Sequence, residues 1–214
     1  MSLVCLDGLA DMFLSRLLIS PAGRARRAAA VALYTAAVAQ ARQPVFYRAD
    51  GFAVADSVDG RFDLIALHVG LVLLRCHEEG PALDELSRRV SAAFVDDMDI
   101  SLREMGAGAR GGAPRWRRMA RAFYGRLDTY GALLRQSPPG LPSAALADAL
   151  WRNIWRGGDG DHGQLPAAAA LAAYAVAARD ALRAWPAAQL AAGKLRLPSP
   201  DPFVPALAPV GAAQ

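Results

Sequence analysis

Apolar residues recur at every third or fourth position through most of this chain, and the rhythm stops where proline and glycine cluster. That period belongs to amphipathic helices. A first helix is predicted from about Leu6 to Leu18, with Leu6, Leu9, Phe13 and Leu17 on one face and Pro21 and Gly23 ending it. A second is predicted from about Arg24 to Ala41, with Val31, Tyr34 and Val38 inward and Pro44 stopping it. The stretch Val45–Gly60 has no helical period. It is long for a connection and carries Phe46, Tyr47 and Phe52, as packed or functional loops do. A third helix, capped by Asp59, is expected to reach about His77 over Leu64, Leu67, Leu71 and Leu74.

Beyond the Gly80-Pro81 break, a fourth helix carries Leu83, Leu86, Val90, Phe94, Met98, Leu102 and Met105. Pro114 then opens a fifth, lined by Trp116, Met119, Phe123, Leu127, Tyr130 and Leu134. Pro138-Pro139-Gly140 separates it from a sixth, about Ser143 to Arg156. A seventh starts near Pro166 and holds Leu171, Tyr174, Ala178, Leu182 and Trp185, with Pro186 kinking it or starting a short successor. From Leu197 onward five prolines oppose regular structure. The expected architecture is all-α: one helical domain of about seven helices over residues 1–196, and a proline-rich tail, extended or disordered, over 197–214. No alternating strand pattern and no internal repeat is visible.

Composition narrows the class. Hydrophobic residues make up 54% of the 214, much of it alanine, which favours helix but buries little area per residue. The longest uncharged apolar runs, Ala28–Ala41 and Leu165–Ala178, fall short of the ~20 residues that span a bilayer. Asp7 and Asp11 interrupt the N-terminal apolar run, and no basic segment precedes it, so no secretory signal is expected. Two cysteines without metal-ligand or Cys-x-x-Cys spacing fit reduced thiols in a cytosol. A cytoplasmic protein, with peripheral contact at the inner membrane face, is the expectation. Net charge is +4, unevenly placed: residues 51–105 hold five basic and eleven acidic groups, residues 106–135 seven and one. Adjacent acidic and basic blocks suit two neighbouring elements with matched surfaces. They also suit a basic face for RNA, ribosome or anionic lipid.

Candidate chemistry is sparse. Asp96, Asp97 and Asp99 could hold magnesium against a diphosphate, since hard cations take several carboxylate oxygens; a second acidic cluster on a helix is missing. A solvated helix face with an Asp99–Arg103 pair is the plainer alternative. His68 sits in an apolar helix, where a satisfied core histidine is commoner than a ligand or base. His77-Glu78-Glu79 lacks the second histidine of a zinc protease motif. Glycines 106, 108, 111 and 112 follow no strand and precede no Gly-Lys-Ser/Thr, so a phosphate loop is not indicated. Arg115, Arg117, Arg118, Arg121 and Arg126 offer an RNA- or ribosome-binding face, but the nearby aromatics follow the core stripe instead of interleaving with them.

Three segments together resemble the ubiquinol–cytochrome c chaperone family. The first runs from Gln40 through Gln43-Pro44-Val45-Phe46-Tyr47 and Asp56 to Asp59-Gly60-Arg61-Phe62-Asp63 and Leu67-His68. The second is Asp96-Asp97-Met98-Asp99 with Leu102-Arg103-Glu104-Met105-Gly106. The third is Met119-Ala120 through Ala122-Phe123-Tyr124-Gly125-Arg126 to Tyr130. The resemblance covers about Leu33 to Leu134. It implies an assembly factor for the cytochrome bc1 complex, not an enzyme, with no catalytic residue and no cofactor or metal of its own. The implied client is newly made, immature cytochrome b, received near the ribosome with a small partner protein; a homodimer is the alternative. On this reading Phe46, Tyr47, Phe123 and Tyr124 supply amphipathic walls for apolar client helices. Asp99, Arg103, Glu104 and Arg126 form a network fixing the fourth and fifth helices. Asp56, Arg61, His68 and Asp96 complete the partner-binding candidates. The chain departs from the family pattern after Gly108, where Ala109-Arg110-Gly111-Gly112 and arginines stand in place of an acidic residue and a lysine-rich helix start.

Overall fold

A computed structural model of the chain describes residues 20–104, 112–157 and 166–205, with the side chains of residues 102–104 and 112–117 outside the description. The predicted helix Leu6–Leu18 lies outside the described residues. Among these residues there are seven α-helices and no strand: α1 (Pro21–Ala41), α2 (Val58–Glu78), α3 (Asp84–Glu104), α4 (Gly112–Gln136), α5 (Ala144–Leu150), α6 (Pro166–Ala184) and α7 (Ala187–Ala191). The predicted seventh helix divides at Pro186, which is the N-cap of α7.

Ser20 caps α1, its hydroxyl accepting from the Gly23 amide at 3.0 Å, and Pro21 occupies the first turn. Pro21 therefore starts a helix where the sequence reading had it end one, as its fixed φ and missing N–H allow. Val31 is another correction: it faces out, and Leu33 takes the buried position in that turn. Ser57, not Asp59, caps α2 by accepting from the Gly60 amide at 3.1 Å. Gly60 is required there, because a Cβ would lie 2.1 Å from the Ala55 carbonyl oxygen.

α2 is the centre of the molecule. Every residue from Phe62 to Val69 is buried, and α1, α3, α4 and α6 pack around it. A helix apolar on all sides belongs inside a bundle. The α3 stripe meets it through Leu83, Leu86, Val90, Phe94 and Met98, all buried as the spacing predicted. Phe94 stacks on Phe123 of α4 with ring centroids 4.0 Å apart, a contact that adds about 0.5–1.5 kcal/mol beyond area burial. α5 runs into a π-turn, Trp151–Trp155, which ends in Arg156 with φ 59°.

Two buried arginines hold helix ends. Arg179 of α6, 2% exposed, donates to the carbonyls of Leu134, Ser137 and Pro138, while its neighbour Asp180 accepts from the Gly140 amide. Arg75 of α2 donates to the carbonyls of Leu182 and Trp185. Each guanidinium thus satisfies the unpaired carbonyls, and the negative dipole end, of a neighbouring helix. Residues 198–205 are extended except for one short turn, Asp201–Phe203, and are packed down: Pro200 is buried and Phe203 sits edge-on to Tyr174; the rest of the predicted tail lies outside the described residues.

Candidate functional site

The loop before α2 folds back on the N-terminal end of that helix. Tyr47 donates its hydroxyl to the last carbonyl of α1, Ala41, at 2.8 Å, and burial pushes that hydroxyl up to about 12. Arg61, in the first turns of α2, donates to Asp56 at 2.6 Å in an exposed pair. That bond, together with the Arg61 charge, holds the Asp56 carboxyl below its ordinary value. Tyr47, Asp56 and Arg61 line one recess of about 480 Å³ with Arg42, Pro44 and Arg48. Arg42 and Arg61 also border a second recess of about 150 Å³, floored by Val58, Phe62, Ile65, Met98 and Met119. Phe62 and Met119 then form the wall of a third, about 370 Å³, rimmed by Arg118, Arg126 and Arg156. The three recesses share walls. Together they make one cleft across the N-terminal end of α2, with apolar side chains beneath and arginines along the edge.

Below the third recess lies Asp63, fully buried. Arg126 of α4 and Arg156 after the π-turn each approach one of its oxygens at 2.7 Å. Both stand at ion-pair distance without an N–H aligned on the carboxylate, and Arg126 Nε and Nη1 also lack a hydrogen-bond partner among the described residues. Burial raises the Asp63 carboxyl to about 6, against the pull of Arg126 and then Arg156; desolvation outweighs the two guanidiniums. Burial likewise takes the Tyr130 hydroxyl beside this cluster up to about 12, although Asn153 and Arg126 draw it down. The Arg126 guanidinium lies 5.2 Å from the centre of the Phe62 ring.

The other candidates separate. Phe46 and His68 are core residues, packed with Phe52 and Tyr174. His68 Nδ1 lies 2.8 Å from the Leu64 carbonyl and Nε2 lies 2.8 Å from the Tyr174 hydroxyl. A carbonyl only accepts, so the proton is on Nδ1 and Nε2 accepts from tyrosine. Gln40 Nε2 completes the chain, donating to the Tyr174 oxygen at 3.0 Å and to the Pro198 carbonyl at 2.9 Å. Burial lowers His68 to about 4. Phe123 is buried against Phe94, whereas its neighbour Tyr124 is 51% exposed. Beside Tyr124, Gly125 faces open space.

Asp96 lines a groove between α1 and α3, about 530 Å³, with Val31 and Ile100 exposed along it. Asp97 in the same groove accepts from the Tyr34 hydroxyl at 2.6 Å. No group of three or more acidic, histidine or cysteine side chains among the described residues is placed to hold a metal ion. Arg103 and Glu104 have side chains outside the description. Arg126, expected in a network with Asp99, has the Asp63 carboxylate beside it, because α4 meets α2 at that point. Sequence reasoning passed over Asp63, Arg156, Arg75 and Arg179 as site or structural residues. The available signal was a charge at a core phase: Arg179 falls between Ala175 and Leu182 on the buried face of α6.

Residues 50–197 match the family model for the ubiquinol-cytochrome C chaperone. The chain belongs to that family. The match extends past Leu134, where the sequence resemblance was drawn to end, and takes in α5, α6 and α7. The crystal structure of a Cbp3 homolog from Brucella abortus is similar with a TM-score of 0.72 and 36% identity, over 90% of this chain and 98% of that one. No curated protein sequence matches. The family model begins in the loop before α2 and covers all three recess walls that α2 and α4 provide.

Proposed function

We propose that this protein is an assembly chaperone for the cytochrome bc1 complex, acting by binding and not by catalysis, and that its client is immature cytochrome b. One observation carries the reading: the apolar-floored, arginine-rimmed cleft at the N-terminal end of α2. Such a cleft suits an amphipathic or membrane-destined helix held before insertion. The floor of Phe62, Ile65, Met98 and Met119 takes apolar side chains, and Arg42, Arg48 and Arg61 meet polar flanks. Methionines adapt to irregular apolar surfaces, which suits a client without a finished fold. The chaperone works from the cytoplasmic side in peripheral contact with the membrane. No helix among the described residues is long and apolar enough to cross one.

The test is crosslinking pull-down of tagged protein from cytosol and membranes, alongside a Tyr47→Ala variant verified as folded by circular dichroism. The expected result is enrichment of cytochrome b without the other subunits of the mature complex, reduced by the substitution. Recovery of no bc1 subunit at all, or capture by folded Tyr47→Ala equal to the parent's, overturns the reading. Ribosomes recovered without cytochrome b would transfer the function to the basic face of α4, where Arg118 and Arg121 are exposed.

A further inference from the structure

The cluster under the third recess is unbalanced. Arg126 and Arg156 both lean on the single carboxylate of Asp63, at 2.7 Å each. One negative charge is set against two positive ones, and Arg118 adds a third guanidinium at the rim; Asp59 is the acid on the opposite wall. Buried guanidinium donors without acceptors are costly, and native proteins rarely leave them so. Arg126 keeps Nε and Nη1 unmatched beneath this recess.

The chain is also arranged to put Arg156 there. It stands in the left-handed region, φ 59°, ψ 32°, directly after a π-turn. A non-glycine residue in that conformation costs energy that the surrounding structure must supply, and such residues gather at ligand sites. Gly157 then passes so close to the Trp151 indole that a Cβ would overlap it, which fixes where the turn points Arg156. The opposite wall is apolar, from Phe62, Met119 and Ala122.

We propose that this recess is a phosphate-binding site, taking a phosphate group carried on an apolar body. A tetrahedral phosphate offers acceptors to three guanidiniums from different directions, which a planar carboxylate does not. The apolar wall takes the adjoining alkyl or ring portion. Two sources share that chemistry, an anionic lipid headgroup and a soluble phosphate ester. The site does not depend on the client being cytochrome b.

The experiment uses the full chain with two probes at matched ionic strength: inorganic phosphate against chloride, read by thermal shift, and phosphatidylglycerol vesicles against phosphatidylcholine vesicles, read by co-sedimentation. Arg156→Gln and Arg118→Gln are run beside the parent. Both replace exposed side chains, so one folded variant suffices. Binding of either probe, weakened about tenfold or more by a substitution, supports the site, since a charge-assisted contact is worth roughly that factor. Free phosphate alone binding identifies a soluble ester, and vesicles alone identify the lipid headgroup. No binding of either probe, or binding unchanged in both variants, overturns the proposal and leaves the recess to water.

Discussion

His68 and Asp63 lie on the same helix and both are fully buried, yet their surroundings differ in kind. Around His68 every donor meets an acceptor: Leu64 carbonyl, imidazole, Tyr174, Gln40 and the Pro198 carbonyl form a neutral chain. Around Asp63 the groups are charged, misaligned and in surplus. The first arrangement ties three helices and the C-terminal segment into one conformation. The second holds unspent hydrogen-bonding capacity next to an open recess. Satisfied buried polar groups specify a fold, whereas unsatisfied ones beside a cavity mark where something else is to bind.

The sharpest way to break this comparison is Asp63→Ala. It leaves two guanidiniums together without a carboxylate and should cost about 3–5 kcal/mol in urea unfolding. Combining Asp63→Leu with Arg126→Met should recover most of that, because apolar groups of similar volume replace a buried ion pair at little cost. If Asp63→Ala alone costs nothing, the cluster is already hydrated and the contrast collapses.

Acid should push the two clusters in opposite directions. His68 is depressed to about 4 in the fold from an ordinary value of 6.5. Its contribution is complete above 6.5 and is lost as pH falls through 4. Asp63 is raised to about 6 from 3.8, so its contribution is present below 3.8 and lost as pH rises through 6. Each amounts to roughly 3 kcal/mol at full extent. Stability of a His68→Gln variant should therefore fall less than the parent's between pH 7 and pH 4.5, by calorimetric or denaturant midpoints. An equal fall would mean that His68 is not held neutral.

Tyr174→Phe removes one hydroxyl that serves both His68 and Gln40, and should cost about 1–3 kcal/mol. Gly125→Ala is the smallest test and has the opposite sign. A solvent-facing glycine within a 25-residue helix weakens it by about 0.5–1 kcal/mol relative to alanine. The substitution should raise the melting temperature of the isolated protein. Failure to do so would mean that the glycine serves the fold itself.

The helices were largely legible because burial follows a 3.6-residue period: the stripes Leu64–Leu67–Leu71–Leu74 and Leu86–Val90–Phe94–Met98 are core in the structure. Boundaries were less so. Ser57 and Asp59 are both good caps, and the choice rests on which one's backbone stays extended, here Ser57 with ψ 168°. At the site, Tyr47, Asp56 and Arg61 line one recess and Arg126 lines another. Phe46 and Phe123 were indistinguishable from wall residues by type and are core by position. The buried roles of Asp63, Arg75 and Arg179 were not legible, because a charge inside an apolar run carries no mark of the partner it will meet. Their partners lie on other helices: Arg126 for Asp63, the end of α6 for Arg75, the end of α4 for Arg179.

The contacts of the C-terminal segment bear on how this chain comes into being. Gln40 reaches Pro198, 158 positions away, and the backbone at Gly193 lies against Ala29. Such long-range closures are made late and slow a folding reaction, because the intervening chain must be ordered first. During vectorial synthesis, α1 and α2 leave the ribosome with one flank bare, which is covered only after the segment around Pro198 has emerged. A member of a chaperone family is, by this topology, itself unfinished until the segment from Gly193 to Pro198 has been made.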